Sequence, residues 1–100
     1  MYKLIYADEA NNDLQSIFDH IAHDDELRAS NYLGEIEKQM LRLQDFPHIG
    51  HDSKYAELYA LGIKVLPYDD YLIFYTVTEK TESVNIVRVL HGSVNYKRLF

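Results

Sequence analysis

The spacing of apolar side chains changes once along the chain, dividing it into a helical part and a strand-forming part. Residues 2–6 (Tyr-Lys-Leu-Ile-Tyr) are a short aromatic and branched run that predicts a strand. Asp8 then reads as a helix cap. Leu14, Ile17, Phe18 and Ile21 fall at i, i+3, i+4 and i+7, one apolar stripe of a helix ending near His23. Asp24-Asp25-Glu26 interrupts the stripe and suits the start of a second helix, expected from about Leu27 to Gln44. In it Ala29, Tyr32, Leu33, Ile36, Met40 and Leu43 keep the 3.6-residue period. Pro47 cannot continue this helix, and Gly50 permits a turn. From Leu58 the period becomes two. Residues 58–66, 71–78 and 84–90 are strand candidates, joined by the polar connectors 67–70 and 79–83. The order β-α-α-β-β-β predicts one α+β domain over residues 1–100, a helical hairpin packed on one face of an antiparallel meander. The other face, with Tyr55, Tyr59, Tyr68, Tyr71 and Tyr75 close by in sequence, is expected to stay open as an aromatic-lined groove.

Composition supports a folded core. Hydrophobic residues make up 47% of the chain, with nine Tyr and four Phe, which is incompatible with disorder. There is no Cys, so disulfides and thiol chemistry are excluded. The opening Met1-Tyr2-Lys3-Leu4-Ile5-Tyr6-Ala7-Asp8 is alternating and soon acidic, unlike a signal peptide. No apolar run approaches the ~20 residues of a membrane helix, so the cytoplasm is the expected location. The net charge of −6, from sixteen acidic and ten basic residues, argues against a general nucleic-acid binder. Any phosphate-binding surface must be local.

Four stretches, in order and spacing, resemble the RelE/ParE superfamily of toxins over nearly the whole chain. They are the opening strand with Asp8-Glu9-Ala10-Asn11-Asn12-Asp13-Leu14, and Leu43-Gln44-Asp45-Phe46-Pro47-His48-Ile49-Gly50, similar to an "L-x-x-F-P-x-x-G" helix end. The third is Tyr71-Leu72-Ile73-Phe74-Tyr75-Thr76-Val77, and the fourth is Val87-Arg88-Val89-Leu90-His91-Gly92 with Asn95-Tyr96-Lys97-Arg98. The resemblance implies a type II toxin–antitoxin system, with growth inhibition or plasmid stabilisation as its outcome. It also implies a cognate antitoxin that wraps the toxin, and DNA contacted only through that antitoxin. Two targets follow from it: DNA gyrase, bound without cleavage in the ParE manner, or mRNA on the ribosome, cut in the RelE manner without a metal. A decayed toxin that keeps only its antitoxin is a third reading. Where relatives carry Arg-Arg-Asp after His-Gly, this chain has Ser93-Val94-Asn95, which removes two positive charges and favours the ParE-like reading.

RNA cleavage through a ribose 2′-OH would need a base, a proton donor and cations on the phosphate. Arg88 is the candidate cation, in the register of Val84, Ile86 and Leu90; a charge there needs a partner or an aqueous groove. His91, at the strand end, is suited to acid–base work, and Tyr96 to proton donation or base stacking. His91 has the opposite strand parity to Arg88. Lys54, Lys64, Lys97 and Arg98 are the further candidate phosphate contacts. Each has an ordinary structural alternative: an ion pair for Arg88, a backbone bond for His91, a packing anchor for Tyr96 and solvation for the lysines. The pairs His20/His23 and His48/His51 lack further ligands, so neither a metal nor another cofactor is expected.

Overall fold

A computed structural model describes residues 1–100. The elements are β1 (Lys3–Tyr6), α1 (Asp8–Ala22), α2 (Glu26–Arg42), β2 (His51–Asp52), α3 (Ala56–Ala60), β3 (Lys64–Tyr68), β4 (Tyr71–Thr78) and β5 (Ser83–His91). A single 3₁₀ turn, Tyr96–Leu99, follows. The strands form one mixed sheet in the order β1-β5-β4-β3-β2. β1 runs parallel to β5, and all other neighbours are antiparallel. α2 starts at Asp25, whose side chain accepts the Arg28 amide at 3.0 Å. α1 starts differently from expectation: Ala7 is its cap residue, and Asp8 lies in the first turn, where a negative charge meets the helix dipole favourably.

α1 and α2 pack on one face of the sheet. Ala10, Ile17, Ile36, Met40 and Leu43 meet Leu66, Ile73, Tyr75, Val84, Ile86 and Val89 there. At the end of this core the Gly50 amide donates to the Tyr75 hydroxyl at 2.9 Å. A methyl group at Gly50 would stand 2.6 Å from that hydroxyl and 2.7 Å from the Val65 carbonyl, so only glycine fits the turn that follows Phe46-Pro47.

Four further expectations are corrected. Residues 58–63 are not a strand. Tyr55 to Leu61 turn as a short helix, closed by Gly62 at φ +75, with Gly62 N–H on the Tyr59 carbonyl and Ile63 N–H on the Leu58 carbonyl. This glycine-terminated motif brings Leu58 and Ile63 together, and both are buried. The second face is also not left open. Leu58, Ile63, Val65, Phe74 and Leu90 form a smaller core on it, with Tyr55, Leu72 and Tyr96 packed alongside, so α3 and the C-terminal turn cover its β3–β4 half. Nor is that face lined by the expected tyrosines, since Tyr68, Tyr71 and Tyr75 pack on the helix side. The alternation of β5 is interrupted as well. Tyr75 pairs with Ile86 but Phe74 with Arg88, which leaves Val87 as a bulge. Arg88 therefore shares the second face with Phe74 and Leu90, not the face of Val84 and Ile86.

Candidate functional site

On the second face an aromatic ladder runs from Tyr55 to the chain end. Tyr55 meets Tyr96 edge-on at 5.6 Å between ring centroids, Tyr96 lies 4.9 Å from Phe74, and Phe74 lies 5.1 Å from Phe100. The ammonium groups of Lys54 and Lys97 each sit 5.4 Å from the Tyr55 centroid, within cation–π range. Beside the ladder is a cleft of about 190 Å³ lined by His51, Asp52, Ser53, Lys54, Val65, Leu72 and Tyr96. Lys97 also pairs with Glu57 at 3.3 Å. The Glu57 carboxyl is held below its ordinary range, first by a backbone hydrogen bond at the start of α3 and then by Lys97.

Arg88 stands apart from this cleft. Its Nε donates to Asp13 Oδ2 at 2.8 Å and its Nη2 to Asp13 Oδ1 at 2.8 Å, a two-pronged pair between α1 and β5. The Val89 amide donates to the same Oδ2 at 2.9 Å, and a longer contact of 3.5 Å joins Nη1 to the Leu99 carbonyl. The bond to Asp13 pushes the guanidinium further above its ordinary range, so it stays charged.

His91 lies on the opposite face from Arg88. It pairs with Tyr71 in the sheet, and its ring meets the Tyr71 ring edge-on at 5.3 Å. Its Nδ1 accepts the Ser93 amide at 3.1 Å, and the Ser93 hydroxyl lies 2.7 Å away. An amide can only donate, so Nδ1 is the unprotonated nitrogen in this arrangement. His91 lines a second cleft of about 210 Å³ with His20, Ile21, Arg28, Tyr32, Asp69, Asp70 and Tyr71. The Tyr32 hydroxyl donates to Asp69 Oδ2 at 2.8 Å, and burial followed by that bond raises its pKa well above the usual tyrosine range.

In this second cleft Asp69 and Asp70 of the β3–β4 turn face Arg28 of α2. Asp24 and Asp25 lie in the α1–α2 turn, and Glu26 opens α2.

Of the seven candidate residues, then, the fold gathers Lys54, Tyr96 and Lys97 around Tyr55, with Arg98 next in the chain. It places Arg88 at the sheet edge and His91 across the sheet. Lys64 lies opposite Tyr75 and pairs with Asp52 at 3.0 Å. Tyr55, His51 and Asp13 were not among the candidates. Asp13 carried a usable signal: it sits at i+3 from Ala10 and i−4 from Ile17, both buried, so an acid in the inward register of α1 called for a cation. The largest hollow, about 470 Å³, is a shallow groove between α1 and α2 lined by Asn11, Leu14, Gln15, Phe18 and Leu33, without an ionisable side chain.

The model for the ParE toxin of the type II toxin–antitoxin system parDE matches residues 4–96. None of the curated proteins matches by sequence. Among solved structures, a chain of the chromosomal ParDE system of P. aeruginosa superposes with TM-score 0.73 at 21% identity, over 91% of this chain and 96% of that one. A chain of the RelBE2 toxin–antitoxin complex of Mycobacterium tuberculosis superposes with TM-score 0.67 at 18% identity, over 90% and 96%. The isolated E. coli RelE toxin superposes with TM-score 0.68 at 13% identity, over 100% of both chains. At such identities the likeness is one of fold.

Proposed function

The chain belongs to the ParE toxin family of type II toxin–antitoxin systems, and from that premise we propose that it acts in the cytoplasm by binding DNA gyrase, without cutting RNA. The observation that carries this reading is the dispersal of the cleavage parts. Arg88, Lys64 and Lys97 are each bound to a carboxylate of the chain itself, and His91 lies across the sheet from Arg88. A phosphodiester in cleavage needs cations, base and proton donor converging on one phosphate. Without that convergence the Lys54–Tyr55–Tyr96 surface serves recognition, where an amphipathic aromatic ladder with a charged rim makes a good anchor.

A cognate antitoxin is the partner that silences it. The apolar groove of Leu14, Phe18 and Leu33 and the exposed Phe46, Leu61, Leu99 and Phe100 are surface that such a partner would cover. Its binding should raise the toxin's melting temperature by mass action.

The second reading is a ribosome-dependent mRNA endonuclease. It is favoured by one feature, the shared cleft of His51, Lys54 and Tyr96, which holds an acid–base group, a cation and a phenol together. Induced expression followed by two assays separates the readings. Gyrase inhibition predicts loss of plasmid supercoiling and a DNA-damage response, with primer extension showing intact mRNA. Discrete codon-phased cuts would overturn the proposal in favour of the nuclease, and unimpaired growth would leave only the antitoxin-binding remnant.

A further inference from the structure

The carboxylate of Asp13 performs two tasks. β1 stops at Tyr6, opposite Ile86, so the outer edge of β5 has no strand neighbour from Val87 onward. Asp13 reaches this bare edge from α1 and accepts the Val89 amide at 2.9 Å, closing a position where another strand would otherwise pair. The same two oxygens take Nε–H and one Nη2–H of Arg88, both at 2.8 Å. These side chains are only 15% and 12% exposed, so solvent and salt screen the pair weakly. The planar fork that grips Asp13 is the one an arginine presents to a phosphate. A phosphate approaching Arg88 must therefore displace a carboxylate that already matches it in charge sign and in geometry.

We propose that Asp13 is an intramolecular lock that withholds Arg88 from phosphodiesters, so that Arg88 is not among the cations that single-stranded RNA meets. Single-stranded RNA is the probe, and the guanidinium it would have to reach is mostly covered and in contact with the Leu99 carbonyl. The lock stands independently of the target proposed above, since it concerns RNA binding by the purified chain, not the arrest of growth.

The test compares binding of a short fluorescein-labelled single-stranded RNA across a salt series. Asp13→Asn keeps an oxygen for the Val89 amide but removes the charge that holds Arg88. It should bind RNA about five-fold more tightly at low salt, and the slope of log affinity against log salt should steepen by about 0.7, the signature of one added phosphate contact. Asp45→Asn, the same charge change at an exposed site, should leave the slope unchanged. Adding Arg88→Gln to Asp13→Asn should abolish the gain. An unchanged slope in Asp13→Asn, or a gain that survives Arg88→Gln, overturns the lock. A measurement on the unmodified chain covers the case where the variant fails to fold: the NMR signal of the Arg88 Nε–H should not move when RNA is added, and a shift would show the lock open. Loss of supercoiling inhibition, by contrast, would bear on the gyrase reading alone.

Discussion

The helix-bearing face of the sheet is covered by α1 and α2, fifteen and seventeen residues long, whereas the second face is covered by a five-residue helix and a four-residue 3₁₀ turn. The first core unites eleven buried residues and the second only five. Long helices bury a continuous stripe and keep their backbone bonds internal, so the first face is expected to open only with global unfolding. The second is held by segments too short to be helical on their own, and its local stability should be lower. The surface of Lys54, Tyr55, Tyr96 and Lys97 lies on this weaker side. Binding surfaces are drawn from such segments because they can adjust without unfolding the rest.

The contrast can be broken by substitution. Ile36→Ala, at the centre of the first core, should cost about 4 kcal/mol, the upper part of the range for a buried aliphatic that cannot collapse its cavity. Leu58→Ala should cost less, about 2.5 kcal/mol, because the smaller second core can close around the gap. Urea unfolding measures both, and equal losses would remove the asymmetry. Deleting Tyr96–Phe100 should cost roughly 2 kcal/mol from lost aromatic burial, with helix content unchanged by circular dichroism. Hydrogen exchange should then quicken in β3 and at Phe74, while the amides of α1 and α2 stay protected.

The smallest effect concerns an exposed hub at the β4–β5 turn. Glu79, in the β4–β5 turn, accepts the Tyr2 hydroxyl and lies 2.6 Å from His48 Nε2, tying the residue before β1 to the loop before β2. The Tyr2 bond, and then His48, hold its carboxyl below the ordinary 4.5. A carboxyl lowered on folding stabilises above its unfolded value and loses that contribution as pH falls through the folded one. The melting temperature should therefore decline as pH drops below about 4.5, and Glu79→Gln should flatten that limb by lowering the neutral melting temperature slightly toward the acid value, which itself stays nearly unchanged. An identical acid limb in the variant would mean that Glu79 plays no part.

Periodicity alone determined much of this protein. The stripe of α1, the four turns of α2, the Pro47 stop and the doubly apolar β4 follow from the spacing of side chains, because each local pattern has only one way to bury its apolar edge. The family was legible too, carried by four fragments whose order matters more than any one of them. Three features were decided only by tertiary structure. Leu58 alternates as a strand would, but Gly62 permits the left-handed residue that closes a helix and turns Ile63 back onto it. Val87 reads as an ordinary strand residue until pairing with β4 makes it the extra one, which sends Arg88 to the other face. Asp13 and Arg88 lie 75 positions apart. A sequence records that each charge is present in an apolar register, but charges interact through distance in space, and only the packing of α1 against the bare edge of β5 brings that distance to 2.8 Å.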